Sequence, residues 1–146
     1  MILTSPNFEN KSPIPPEFTC QGKNASPELH ISEVPAEAKS LALIIDDPDA
    51  PNSTWTHWVV WNIPIDTKII PANVGPHFAI QGNNSWSKSE YGGPCPPTGS
   101  HRYFFKLFAL TETVNLPAGS SKADLEKAME DKKIDETQLM GIYKKS

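Results

Sequence analysis

At 146 residues the chain is long enough for one domain with a sizeable core, and residues 1–146 read as a single unit. A formal net charge of −4, with no basic block, argues against nucleic acid as the main partner, since phosphate backbones call for clustered Lys and Arg. Fifteen Pro and eight Gly interrupt the chain too often for a helix bundle, while four Trp and six Phe supply more core material than a disordered chain carries.

The N-terminal Met1–Pro6 lacks a basic region followed by an apolar stretch, and no segment is long enough to span a bilayer. The expected location is therefore cytoplasmic. Cys20 and Cys95 are too few for a disulfide scaffold or a zinc site. In a reducing cytosol they read as two free thiols, and a single bridge between their Gly/Pro-rich segments stays open as the alternative.

Strands and turns fill the first third. Phe18-Thr19-Cys20 is a short apolar run before a turn-rich stretch over 21–27, and Leu29-His30-Ile31 reads as a short strand. Ser40 to Ile45 is continuously apolar and predicts a central strand buried on both faces. It closes in Asp46-Asp47-Pro48-Asp49-Ala50-Pro51, where prolines stiffen a corner carrying three carboxylates. Thr56 to Asn62 predicts a second interior strand, with His57, Val59 and Trp61 on one face and Trp58 and Val60 on the other.

Residues 64–77 read as loop with an apolar patch at Ile69-Ile70, and 78–81 as a brief strand. Gly82 to Ser100 shows no periodicity, yet its prolines and flanking aromatics point to a stiff, ordered, functional loop. A strong strand over 103–110 follows, with Tyr103, Phe105 and Leu107 on one face and Phe104 and Phe108 on the other. One helix is expected after the Ser120/Ser121 cap, with Leu125, Ala128 and Met129 on its buried side. A helical turn near 136–140 and a last edge strand at 141–143 complete the reading. The sum is a mainly β domain, an antiparallel Greek-key β-sandwich with one or two short C-terminal helices.

His57 alone on an apolar strand would read as a packed core histidine. Asp47 and Asp49 end the preceding strand, however, and successive strands are usually neighbours, so an Asp–His contact that raises the His57 pKa is expected. His101 and Tyr103 share a face by parity. If that strand meets the Asp47 corner, the site holds a carboxylate, two imidazoles, a phenol and the free N–H groups of Gly92 and Gly93. Such donors suit phosphate or another oxyanion. Asp47 would repel a dianion unless it is bonded to a histidine or a ligand amine, or is protonated. Arg102 points the opposite way and reads as a buried structural ion pair with Asp49 or Asp46. No compact metal-ligand motif and no nucleophile elbow is present, and no cofactor is implied.

These segments resemble the phosphatidylethanolamine-binding protein family, also called the Raf kinase inhibitor protein family, in its short bacterial and archaeal branch. The likeness runs through Phe18-Thr19-Cys20-x-Gly22-x-Asn24-x-Ser26-Pro27, Leu41 to Pro51, Thr56 to Pro64, Tyr91 to Tyr103 and Leu116-Pro117-Ala118-Gly119. It implies a β-sandwich with a small anion-accepting pocket. By position it implies Asp47, His57, Gly93, His101 and Tyr103 as ligand-binding residues, with Trp55 and Pro94 as the pocket wall. His30 departs from the branch, which usually shows Trp there. The long C-terminal helical extension of mammalian members is absent, which weakens the case for kinase regulation.

The leading expectation is a non-enzymatic regulatory protein that binds a phosphorylated small molecule or phospho-headgroup and controls a protein partner such as a kinase. Serine protease inhibition through the Pro-rich loop ranks second. A phosphate-handling enzyme using His57 or His101 as acid or base ranks third, for want of a nucleophile. The branch resemblance and the need to cover sheet edges suggest a homodimer.

Overall fold

The computed structural model describes residues 1–75 and 77–146. Its main layer is a six-stranded sheet built from β2 (Ser12–Pro13), β4 (Ser40–Asp47), β5 (Trp55–Ile63), β7 (Ile80–Gln81), β8 (Ser100–Leu110) and β9 (Lys133–Lys144). Their order across the sheet is β2-β9-β8-β4-β5-β7. Within it β4, β5, β7 and β8 follow one another in sequence but lie as β8-β4-β5-β7, all antiparallel, which is a Greek key. A smaller sheet of β1 (Ile2–Thr4), β3 (Leu29–Ser32) and β6 (Ile69–Ile70) covers one face. The one α-helix among the described residues, α1 (Lys122–Met129), covers the other.

Alternation along the strands produces two separate cores. Leu41, Leu43 and Ile45 of β4, with Tyr103, Phe105 and Leu107 of β8, face the small sheet and pack on Leu3, Leu29, Ile31 and Ile70. Ala42 and Ile44, with Phe108 and Leu110, face α1 and pack on Leu125 and Met129. Because β4 is apolar on both faces it occupies the middle of the sheet, as its sequence predicts. Ser121 caps α1 by accepting from the Asp124 N–H while the Asp124 carboxylate accepts from the Ser121 N–H, a reciprocal capping box.

The expected helical turn at 136–140 and edge strand at 141–143 are one twelve-residue strand, β9, paired with β8 along its length. Leu139, Gly141 and Tyr143 are buried in alternation, and that period of two overrides the helix-forming residues between them. It is not an edge, because β2 pairs with it in parallel at Gly141 and Ile142. The apolar run Phe18-Thr19-Cys20 forms no strand, because Phe18 closes a 3-10 turn, Pro16–Phe18, and Thr19 and Cys20 follow it in irregular chain. The loop expected over 64–77 includes Pro76, which lies outside the described residues. Its Ile69-Ile70 patch is β6. Residues 82–99 form no helix or strand among the described residues and are ordered by side-chain and backbone hydrogen bonds.

Candidate functional site

Two irregularities of the sheet create the site. β4 runs two residues beyond its apolar stretch, so alternation sends Asp46 toward the helix side and Asp47 toward the small-sheet side. Opposite this end, β5 slips register: Ile45 pairs with Trp58, but Asp46 pairs with Thr56. His57 is the extra residue of a β-bulge, and a bulge re-aims the side chains around it. The simple period of two, which places His57 with Val59 and Trp61, therefore fails at this position. Val59 and Trp61 pack under α1, whereas His57 lines the cavity on the opposite face together with Trp55.

The cavity has a volume of about 550 Å³. From the sheet, Asp47, Trp55, His57, His101 and Tyr103 line it, and from the irregular segments Asn24, Trp86, Lys88, Glu90, Gly92 and Gly93 do so. His101 and Tyr103 enter from the start of β8, whose next inward residue, Phe105, is already core. The Tyr103 ring lies between the two histidines, with centroids 5.2 Å from His57 and 6.4 Å from His101.

Asp47 is committed to the protein. Its Oδ2 bonds His101 Nδ1 at 2.6 Å, with both side chains buried, and its Oδ1 accepts the Asp49 N–H at 2.8 Å. The expected partner of Asp47, His57, instead donates from Nδ1 to the Gly92 carbonyl at 2.7 Å. Burial pushes the His57 pKa below its ordinary value, against the opposing pull of that carbonyl and of Asp47. The expected rise is therefore reversed, because desolvation outweighs a carboxylate bonded elsewhere.

Tyr103 is driven well above the ordinary phenol range by burial and by the charges of Asp47 and Asp49, so it keeps its proton. Its hydroxyl is buried near Asp47 and the Cys95 main chain without closing a well-formed hydrogen bond to either. The indole N–H of Trp55 is likewise buried and unpartnered. Two unsatisfied donors thus belong to residues that line one cavity, and each is costly unless something accepts from it.

The expected backbone donors are spent. Gly92 N–H goes to the His57 carbonyl at 3.0 Å, and Gly93 N–H goes to Asn24 Oδ1 at 2.8 Å. Both glycines are needed for close approach. A Cβ on Gly92 would lie 2.3 Å from the Trp86 ring, and one on Gly93 2.4 Å from both Asn24 Oδ1 and the Phe18 carbonyl. Pro94 is not in the cavity wall. It is buried, with its carbonyl accepting the Cys20 N–H, and Pro96 and Pro97 form the wall instead.

Asp49 and Arg102 form the anticipated pair. Arg102 Nη2 donates to Oδ1 at 2.8 Å, and its Nε and main-chain N–H both donate to Oδ2 at 2.9 Å. The pair is exposed, not buried, with about half of the Arg102 side chain in solvent. Its hydrogen bonds hold the Asp49 carboxyl down to about 2. Asp46 has different partners, Lys106 at 3.1 Å and Lys122 at 2.8 Å.

Cys20 and Cys95 are joined by a disulfide that also lines the cavity, so the free-thiol reading is replaced by the bridge. Trp86, Asn84 and Asn24 were not anticipated. Trp86 packs edge-on against His57 at 5.2 Å and against Trp55 at 5.5 Å, forming a half-exposed aromatic rim. Asn84 holds this rim in place by accepting the Trp86 and Lys88 N–H groups and donating to the Glu90 carbonyl. Asparagine in a turn-rich stretch was the available signal, since its side chain substitutes for backbone in such turns. His30, the departure from the branch, lies on β3 and bonds Glu28 at 2.5 Å, outside the cavity.

A family model described as Phosphatidylethanolamine-binding protein matches residues 4–144. A UPF0098 protein of Methanothermobacter thermautotrophicus is 47% identical over 150 residues, covering 99% of each chain. The crystal structure of a phosphatidylethanolamine-binding protein homologue from Chlamydia trachomatis superposes with a TM-score of 0.95 at 40% identity, covering 99% of this chain and 97% of that one. YbcL of Escherichia coli, described as a member of the mammalian PEBP family, gives a TM-score of 0.91 at 32% identity over 99% of this chain and 98% of its own.

Proposed function

Since the chain belongs to the phosphatidylethanolamine-binding protein family, we propose that its cavity binds a small oxyanion, a phosphate or the phosphate of a phosphorylated ligand, in a regulatory role and without turnover. The observation that carries this reading is the set of donors around the cavity. Tyr103 hydroxyl and Trp55 N–H lack partners, and His57 and His101 stand beside them. Of the carboxylates that line the cavity, Asp47 is already held by His101 and the Asp49 N–H, and the exposed Glu90 is accompanied by the exposed Lys88. The unpartnered buried groups on these lining residues are donors, and an oxyanion is a ligand rich in acceptors.

His57 is kept neutral by burial, so an anion that accepts from its Nε2 brings a proton with it. The Trp55–Trp86 rim offers an aromatic surface to whatever the phosphate carries. A protein partner, a kinase among them, would read occupancy at this rim. Calorimetric titration of phosphoethanolamine and of inorganic phosphate into the wild type and His57→Ala tests the reading. Binding by the wild type and at least a tenfold loss in the variant are expected. Unchanged affinity in a folded variant overturns it.

Protease inhibition by the Gly92–Pro97 segment finds no support in the geometry. Gly92, Gly93, Pro94 and Pro96 are buried, and a substrate-like segment has to be presented to solvent.

A further inference from the structure

The Cys20–Cys95 bridge lies in the cavity wall, and thiols can reach it. Cys20 is exposed and Cys95 half-buried. Cys20 lies just after the 3-10 turn, and Cys95 within the irregular 82–99 segment, so neither sulfur is fixed by a helix or a strand. Three other contacts join the two pieces of chain. Cys20 N–H donates to the Pro94 carbonyl at 3.1 Å, Gly93 N–H to Asn24 Oδ1 at 2.8 Å, and Tyr91 hydroxyl to the Phe18 carbonyl at 2.7 Å.

The stretch 91–97 also supports the anion donors. Its Gly92 carbonyl accepts from His57 Nδ1, which fixes the imidazole tautomer and orientation, and its Pro96 and Pro97 close one side of the cavity. When the bridge is reduced, two thiols cannot occupy the space of one bond. Either a cysteine side chain rotates or the two pieces separate, and separation displaces the stretch that holds His57. Apart from Tyr91, which packs in the larger core, residues 92–97 belong to neither core and to no paired strand, so most of the fold is built outside that stretch.

We propose that the Cys20–Cys95 disulfide is a reversible thiol-sensitive latch on the anion pocket. Oxidised, it holds residues 91–97 in the binding shape; reduced, it releases them and weakens anion binding. The proposal rests on the anion-pocket reading above. The reductant is a dithiol or a pair of thiols. Its first thiolate attacks one bridge sulfur and expels the other as a thiolate, which takes up a proton. Its second sulfur then displaces the mixed disulfide. Two electrons and two protons pass to the protein, and the reductant leaves as its own disulfide. Exposed bridges are the ones that exchange in this way.

The test titrates phosphoethanolamine into oxidised protein, into protein held reduced by a phosphine, and into reduced protein reoxidised with diamide. Amide hydrogen exchange of residues 91–97 is followed in parallel. A weakening of about tenfold on reduction is expected, as when only a tenth of the molecules keep the competent segment. Faster exchange confined to 91–97 and its neighbours, with recovery on reoxidation, is expected with it. The double variant Cys20→Ser/Cys95→Ser should match the reduced protein. Equal affinity in oxidised and reduced forms overturns the latch and leaves the pocket reading intact. Binding by neither form overturns both. Loss of slow amide exchange along β4, β5 and β8 on reduction would make the bridge a global staple and also overturns the latch.

Discussion

Removing the bridge with Cys20→Ser/Cys95→Ser should lower global stability by an amount set by chain length. The bonded residues are 75 apart in sequence. For a loop of that length, the loop-closure entropy withheld from the unfolded chain corresponds to about 4.5 kcal/mol at 25 °C. With an unfolding entropy of about 0.3 kcal/mol/K for a chain of this size, the loss translates into a Tm lower by about 15 °C. Urea unfolding of the oxidised protein and the double variant, followed by Trp fluorescence and far-ultraviolet circular dichroism, measures it. The m-value should rise in the variant, because an unfolded chain freed of its cross-link exposes more surface. A loss below about 2 kcal/mol with an unchanged m-value would refute the argument that the bridge acts through the unfolded chain. This effect is separate from the latch, which concerns the folded state alone.

Sulfate, which does not titrate in this range, should bind more tightly as pH falls, approaching tenfold per unit above the depressed pKa of His57, and His57→Ala should flatten that slope. Without ligand the sign reverses. Between the ordinary histidine value and the lower folded one, the unfolded chain binds a proton that folded His57 refuses, so stability falls as pH drops through that window. Thermal melts from pH 8 to 5 on wild type and His57→Gln would show it as a smaller acid loss in the variant. Asp49, held at about 2, contributes stability that is complete above its ordinary 3.8 and is lost as pH falls from there to about 2. Arg102→Ala should return the Asp49 carboxyl toward 3.8 in a carbon-detected titration, and an unmoved resonance would count against the pair as the cause. Gly93→Ala forces main chain apart at Phe18 and should cost about 1–3 kcal/mol while weakening phosphoethanolamine binding, and unaltered melting and affinity would show that the close approach is not required.

Much of the fold was legible because burial on two faces leaves a mark in composition. β4 and β5 are apolar on both sides and sit inside the sheet, and the alternation from Tyr103 to Phe108 places its residues in the two cores as read. β9 was misread because its first half is charged and half-exposed, so pairing with β8, a non-local interaction, decides its conformation. At the site, the sequence brought Asp47, His57, His101 and Tyr103 together as a group but not their bonds. Which histidine Asp47 holds depends on the bulge in β5, and a bulge adds a residue without altering composition. Gly92 and Gly93 invited a reading as free donors, whereas their missing Cβ atoms serve the approach of Trp86, Asn24 and the Phe18 carbonyl.

The adjacent aspartates show how one strand end can separate scaffold from chemistry. Alternation alone puts Asp46 and Asp47 on opposite faces of β4. On the helix side, Asp46 meets Lys106 and Lys122 and thereby ties α1 to the sheet. On the other side, Asp47 meets His101. Had β5 kept a regular register, His57 would have joined Val59 and Trp61 under the helix, leaving Asp47 and His101 without a second imidazole. The bulge reverses His57 without disturbing the pairing of Ile45 with Trp58 on one side or of Asp47 with Trp55 on the other. One inserted residue therefore converts a closed sandwich end into a cavity with a donor on each wall. The cavity depends for its remaining side on the irregular 82–99 segment, which has no strand or helix of its own and which the disulfide ties to Cys20.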